Sequence, residues 1–140
     1  MNRSNARELV FKLLYEMEFQ KDVSKEHIML FIENNNIADP NAIEYIKDVS
    51  NGINQNLNEI SNIIEKNLKK DWELNRISKI NLAILKLAIY EMTITKLPYK
   101  VVINEAVELA KKYGDDTSSA FINGILASVV KQKNLMQEES

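Results

Sequence analysis

The segment 80–92, INLAILKLAIYEM, constrains the fold more than any other part of the chain. Its apolar residues fall on almost every face of a helix, with Asn81, Lys86 and Glu91 as the exceptions. A helix without a continuous polar face is stable only when other helices surround it. We therefore expect this segment to be the central helix of an all-α protein.

Composition supports a single helical domain. The chain has 140 residues, a length typical of one domain, and contains only three glycines and two prolines. So few turn residues favour a small number of helices with short connections over a β-protein. The absence of cysteine excludes disulfides and cysteine chemistry. His27 is the single histidine, and no nucleophile motif, metal constellation or glycine-rich loop is present, so we expect no enzyme activity, no metal and no cofactor.

Apolar periodicity predicts further helices on both sides of the central one. The first runs from about Ser4 to Gln20, and a second covers about Ser24–Glu33 with Ser24 as its N-cap. A third begins after Asp39, where an aspartate cap precedes a proline at the first turn. We expect a break near 52–56 and a fourth helix after it, over about 57–68.

The carboxy-terminal part contains two more predicted helices. The first, near 99–113, ends with lysines and with Gly114, which suits a left-handed cap. The acids and hydroxyls at 115–118 then suit the start of the last helix, where they accept free backbone N–H groups. Two adjacent aspartates are a poor ligand set for a divalent metal, and two carboxylates without a lysine do not form a phosphate cradle.

Charge is distributed unevenly along the chain although the net charge is only −2. Residues 22–68 contain three basic and eight acidic residues, whereas residues 69–112 contain nine basic and five acidic ones. Such a distribution steers an anionic partner toward one part of a molecule. The amino terminus lacks a secretory signal and no segment approaches the length of a membrane span, so we expect a cytoplasmic protein with no membrane partner.

Two features are typical of proteins that bind unpaired RNA. Arg3, Arg7, Phe11 and Tyr15 follow one another at i, i+4 along one flank of the first helix. Guanidinium groups and aromatic rings are the side chains that contact RNA phosphates and stack on bases. Phe121 lies at the edge of the last helix's apolar stripe among small residues, where its ring is a candidate stacking platform. The alternatives are a solvated helix edge for the first feature and a peripheral core residue for the second.

Three segments resemble the NusB transcription antitermination family. They are NARELVFKLLYEMEF (5–19), WELNRISKINLAILKLAIYEM (72–92) and LPYKVVINEAVELAKKYGDDTSSAFINGIL (97–126). The resemblance implies one domain over 1–140, with an all-α fold of about seven helices in two small crossed bundles. It also implies an antitermination factor that binds single-stranded boxA RNA together with the ribosomal protein NusE. This pair joins RNA polymerase with NusA and NusG and supports transcription of ribosomal RNA operons.

The same resemblance implies roles for individual residues. RNA contacts are expected from the amino-terminal arginines, two aromatic residues and the last interhelical loop: Arg3, Arg7, Tyr15, Phe121, Tyr113, Asp116, Thr117 and Ser118. Contacts to NusE are expected from Arg76, Asn81 and Glu91, on the exposed part of the central helix and next to it.

The chain also departs from the family pattern. Its amino-terminal arm offers only two arginines, Ala120 stands where relatives often have lysine, and Asn81 stands where an acidic residue is common. We therefore expect modest RNA affinity for the chain alone. Two other functions remain open: a protein-only homodimeric scaffold, the free protein being a monomer or a homodimer, and the RNA-targeting domain of RNA cytosine methyltransferases. Because the sequence stops at Ser140, we expect no methyltransferase domain and no methyl transfer.

Overall fold

The structure, a computed structural model, describes residues 1–20, 25–69 and 73–135. These residues form seven α-helices and one short 3-10 helix, and within them there is no strand. The helices are α1 Arg3–Glu18, α2 Lys25–Asn34, α3 Pro40–Gln55, α4 Leu57–Lys66, α5 Lys79–Thr93, α6 Tyr99–Tyr113 and α7 Ser118–Gln132, with the 3-10 helix at Leu74–Arg76. The all-α prediction is confirmed. The predicted cap Ser24 and the tryptophan of the 72–92 segment lie outside the described residues.

The chain divides into two compact units, Met1–Asn56 and Leu57–Ser140. In the first unit, α1 and α2 each pack against α3. The amino ends of α1 and α3 are capped by side chains: Asn2 accepts a hydrogen bond from the Asn5 amide at 2.8 Å, and Asp39 accepts one from the Asn41 amide at 3.0 Å. The predicted aspartate–proline start of α3 is therefore confirmed.

The predicted break between the third and fourth helices falls at Asn56, which closes α3. Its backbone N–H donates to the carbonyl oxygen of Gly52 at 3.1 Å, and its side-chain amide donates to the same oxygen at 2.7 Å. These two bonds satisfy a terminal carbonyl that the helix itself leaves without a partner. α4 begins at the next residue, Leu57.

In the second unit, α5 is the helix around which the others pack. Eleven of its fifteen residues are buried, and it contacts α4, α6 and α7. This confirms the prediction that a helix with apolar residues on almost every face is enclosed by other helices. Its amino end is capped by Ser78, whose hydroxyl oxygen accepts the Asn81 amide at 3.1 Å.

Asp115 organises the connection between α6 and α7. One of its carboxylate oxygens accepts from the Thr117 amide at 2.8 Å, the Thr117 hydroxyl at 2.7 Å and the Ser118 hydroxyl at 3.3 Å. In return, the Asp115 amide donates to the Ser118 hydroxyl oxygen at 3.0 Å. The hydrogen bonds from Thr117, and to a smaller extent those from Ser118, hold the pKa of Asp115 below its usual value of 3.8.

Gly114 differs from its prediction. It ends α6 with φ −88° and ψ −175°, so it is extended and not left-handed. Its lack of a side chain matters for another reason: a Cβ there would overlap the Ser118 side chain and lie 2.8 Å from the Ala110 carbonyl oxygen. Gly124, inside α7, is the opposite case, because a Cβ added there meets nothing within 4 Å.

The two glycines give a matched test of this packing. We expect Gly124→Ala to raise the free energy of unfolding by about 0.5–1 kcal/mol, since glycine is a poor residue for a helix interior and the site has room. Gly114→Ala is expected to lower it by about 1–3 kcal/mol through overpacking. Urea unfolding monitored by circular dichroism measures both. A neutral Gly114→Ala would show that the close approach of Ser118 is not required.

A second prediction concerns how the stabilising effect of Asp115 depends on pH. Because the folded-state pKa of Asp115 is lowered, its ionised form stabilises the fold fully above the unfolded value, and this contribution is lost as pH falls through the folded-state pKa. Asp115→Ala should therefore lower the melting temperature at neutral pH, and the difference from the unmodified protein should shrink below pH 3.8. Asp116→Ala is the matched control, because the bonds to Thr117 and Ser118 come from Asp115. Equal effects of the two substitutions would contradict the assignment.

Candidate nucleic-acid interface

An open cavity of about 470 Å³ lies beside Phe121 in the second unit. Residues 67–69, which follow the last residue of α4, form one wall, and the first turns of α7 form the other. The lining residues are Asn67, Leu68, Lys69, Ala120, Phe121, Gly124 and Ile125. Ala120 and Gly124 follow one another at i, i+4 on the same face of α7, so their small size is what leaves this space open. Phe121 itself is half-buried, so it is neither a sealed core residue nor a fully exposed ring.

Asn67 fixes the distance between the two walls. Its side-chain amide donates to the Ile63 carbonyl oxygen at 2.8 Å and to the Gln132 side-chain oxygen at 2.7 Å. Its own side-chain oxygen accepts from the Ser128 hydroxyl at 2.6 Å. These bonds tie the carboxyl end of α4 to two positions along α7, so the cavity is a defined feature of this unit.

Lys69 is the charged member of the described residues that line the cavity, and it is exposed. An ammonium group at the rim of an apolar cavity is placed to attract a phosphate. Neither Lys69 nor the cavity was predicted from the sequence. Gly124 was the local signal, since a glycine inside a helix pattern often marks a close approach or an open site.

The loop that precedes α7 presents only some of its predicted contact residues. Asp116 and Thr117 are exposed, and Tyr113 is half-buried with the Lys112 ammonium 5.4 Å from its ring centroid. Ser118 is 1% exposed and its hydroxyl is engaged with Asp115. The expectation that Ser118 is presented to RNA is therefore wrong, because this side chain is part of the turn that starts α7.

The first helix also departs from its prediction. Arg3 is exposed and Tyr15 is half-buried, but Arg7 and Phe11 are each only 3% exposed. The expectation that Arg7 and Phe11 stand on a solvated flank is wrong. The buried arc of α1 is wider than the predicted stripe and includes both of these residues. Tyr15 makes an edge-to-face contact with the exposed ring of Phe19, with centroids 5.1 Å apart.

Of the three residues predicted to contact NusE, one is exposed and two are buried. Arg76, in the 3-10 helix, is exposed. Asn81 is 8% exposed and Glu91 is 2% exposed, so the expectation that they occupy an exposed part of α5 is wrong. The exposed or half-buried positions of α5 are Lys79, Ile80, Lys86 and Thr93, and Asn81 and Glu91 lie on parts of the helix that the rest of the protein covers. Within the described part of the chain, the side-chain oxygen of Asn81 is buried without a hydrogen-bond partner.

The structure brings the predicted RNA contacts together in two groups. Tyr113, Asp116, Thr117 and Phe121 belong to the second unit and lie close in sequence around the start of α7. Arg3 and Tyr15 belong to the first unit, on one helix, separated by ~18 Å of helix rise.

Among residues 1–20, 25–69 and 73–135, no group of three or more His, Cys, Asp or Glu side chains is suited to hold a metal ion. No helix in these ranges has both the length and the apolar character needed to cross a membrane.

Comparison with known proteins identifies relatives over almost the whole chain. Residues 4–131 match the model of the NusB family. The transcription antitermination protein NusB of Acetivibrio thermocellus is 50% identical over 134 residues, which cover 95% of this chain and 91% of that protein. The protein of the same description from Clostridium novyi strain NT is 47% identical, with 94% and 99% covered.

Solved structures give the same result for the fold. NusB of T. maritima superposes with a TM-score of 0.86 at 34% identity, covering 98% of both chains. A chain from a crystal structure of the antitermination factors NusB and NusE in complex with double-stranded RNA gives a TM-score of 0.84 at 29% identity, covering 93% and 96%. Its helices, its sequence and the match over residues 4–131 place this chain in the NusB family of transcription antitermination proteins.

Proposed function

We propose that this protein is an adaptor that binds single-stranded boxA RNA together with the ribosomal protein NusE. In this role it joins RNA polymerase with NusA and NusG and supports processive transcription of ribosomal RNA operons. Its relatives are named transcription antitermination proteins, and one structural neighbour is a NusB that was crystallised with NusE and RNA. The mechanism is binding, and it makes or breaks no covalent bond.

The observation that carries the RNA assignment is the cavity beside Phe121 with Lys69 at its rim. Unpaired RNA exposes the faces of its bases, which stack on aromatic side chains, while its phosphates pair with cations. Both chemistries are present within this small region of the second unit. Arg3 and Tyr15 are the proposed contacts from the first unit, and Tyr113, Asp116 and Thr117 those from the loop.

The exposure of the predicted residues changes which substitutions test this function. Arg7 is buried, so reversing its charge would place a carboxylate inside the protein and lower its stability. Arg3 is exposed and can be changed without that cost. For NusE, we retain Arg76 as the proposed contact, since Asn81 and Glu91 are buried.

Arg3→Glu is therefore expected to weaken boxA binding about tenfold and to reduce the salt dependence of binding by about one phosphate contact, while helicity is unchanged. Fluorescence anisotropy with labelled boxA RNA and a scrambled RNA, over a series of salt concentrations, measures both effects. Lys12→Glu is the matched control, because it makes a comparable charge reversal at an exposed position of the same helix. Equal losses from Arg3→Glu and Lys12→Glu would mean that net charge, and not Arg3, determines binding.

A protein-only scaffold is the second candidate, and one observation favours it. Phe19, Met29 and Leu30 are large apolar side chains in the first unit that are more than half exposed. Apolar surface of this kind is typical of protein–protein contacts.

Light scattering separates the two functions. On the RNA-binding proposal, adding boxA RNA and NusE gives a complex with one copy of each, and the affinity for boxA exceeds that for scrambled RNA. A homodimer that neither partner binds or dissociates would favour the scaffold. The measurement uses the full chain at several concentrations, since mass action shifts weak dimers.

A further inference from the structure

We propose that the cavity between α4 and α7 receives one unpaired nucleobase of the bound RNA through shape and stacking, without reading which base it is. The inference rests on the proposed function, because it assigns a specific task to one part of the RNA-binding surface. It makes Gly124 and Lys69 determinants of RNA binding, in addition to Phe121.

The size and lining of the cavity fit a flat, mostly apolar group. Its volume of about 470 Å³ lies within the range of small-ligand pockets, ~300–1,000 Å³. Leu68, Ala120, Phe121 and Ile125 contribute apolar surface. A base placed there contacts an aromatic residue and aliphatic walls, which is how proteins that bind single strands hold bases of any sequence.

Asn67, the polar uncharged residue of the lining, already uses its side chain in hydrogen bonds within the protein. Both N–H groups of the Asn67 side chain are donated, to Ile63 and Gln132, and its oxygen accepts from Ser128. Its carboxamide therefore has no donor left for the edge of a base. Sequence is read through hydrogen bonds to base edges. Apart from Lys69, which we assign to the phosphate, the described lining residues offer no side-chain donor for a base edge, so we expect the cavity to add affinity but little base discrimination.

Gly124 keeps the cavity open. It lines the cavity, and a Cβ at this position would meet nothing within 4 Å. A larger side chain at 124 would occupy space that the base requires, and its Cβ would not collide with the protein. This property makes the site testable by filling it while Phe121 is retained.

Lys69 supplies the charge that a nucleotide needs next to its base. It is exposed at the cavity rim, on the wall opposite α7. An ammonium group contacts a phosphate as a point charge, independently of sequence. Base and phosphate would then be held by opposite walls of one cavity.

The test is an abasic scan of boxA RNA against a cavity-filling variant. Each nucleotide in turn is replaced by an abasic one, and affinity is measured by anisotropy for the unmodified protein, Gly124→Leu and Ala127→Leu. We expect one position at which base removal weakens binding by the unmodified protein about tenfold or more. In Gly124→Leu that loss should vanish, because the cavity is already filled. Ala127→Leu, an exposed position on the same helix outside the lining, should keep the full loss.

Two further measurements complete the test. Exchanging the base at the same position for any other should change affinity by less than about threefold. Lys69→Gln should lower the salt dependence of binding by about one phosphate contact. Thermal melting confirms that the variants are folded, and Gly124→Leu is expected to melt no lower than the unmodified protein.

The outcomes separate the inference from the proposed function. If RNA binds but every abasic loss persists in Gly124→Leu, the cavity is not a base site, although the protein still binds RNA. Base exchanges as costly as base removal would overturn the claim that the cavity does not read sequence. Displacement of the RNA by an equal concentration of free uridine monophosphate would contradict the inference, because the cavity would then be a site for a free nucleotide and not for one base of a bound RNA. If neither the protein alone nor its mixture with NusE binds boxA RNA, both proposals fail.

Discussion

The burial of α5 on every side is the constraint on which the second unit depends. Eleven of its fifteen residues are buried, and burying a large aliphatic side chain contributes about 1.5–3 kcal/mol relative to leaving it in water. A helix of this composition is stable only inside a ring of other helices, and α4, α6 and α7 form that ring. Asn67, the residue after α4, is hydrogen-bonded to Ser128 and Gln132 in the carboxyl half of α7. The segment 67–69 then lines the cavity together with the first turns of α7. The candidate RNA site is therefore a consequence of how the core helix is enclosed.

The glycine that keeps the cavity open lowers the stability of α7, and the packing of the helix does not require it. Protein interiors and helix contacts are close-packed, and a glycine inside a helix is less stable than alanine by about 0.5–1 kcal/mol. Gly124 occupies a position of α7 where a Cβ would fit, so its lower helix stability is not forced by close packing. By contrast, Gly114 is required by the close approach of Ser118. A glycine that the fold does not need, lining an open cavity beside an aromatic residue, fits the general exchange of stability for function at binding sites.

Much of the fold could be predicted from the sequence, because it follows from local rules. Periodicity gave the helices, Asp39 with its proline gave the start of α3, and the apolar character of 80–92 gave the enclosed helix. The errors arose where burial depends on neighbours that the sequence does not identify. The spacing of Arg7 from Arg3 predicts a position on the flank of the apolar stripe, and the family resemblance implies an exposed position for Asn81 and Glu91, but all three are buried. The cavity was missed since it forms between residues such as Asn67 and Gly124, which are distant in sequence and carry no joint signal.

The chemistry of the cavity also bears on how RNA would be selected. One stacked base contributes about 1–3 kcal/mol, whereas a dissociation constant of 1 μM corresponds to about 8.2 kcal/mol. Ala120 is an uncharged residue of the cavity wall, and Lys69 is the cation among the described lining residues. A site of this kind cannot by itself supply both the affinity and the base discrimination that selection of one RNA element requires. The remaining contacts must come from other surfaces, and a second RNA-binding protein held on the same complex adds them at high effective concentration. On the proposed function, a cavity that accepts any base is useful only when another surface determines which RNA reaches it.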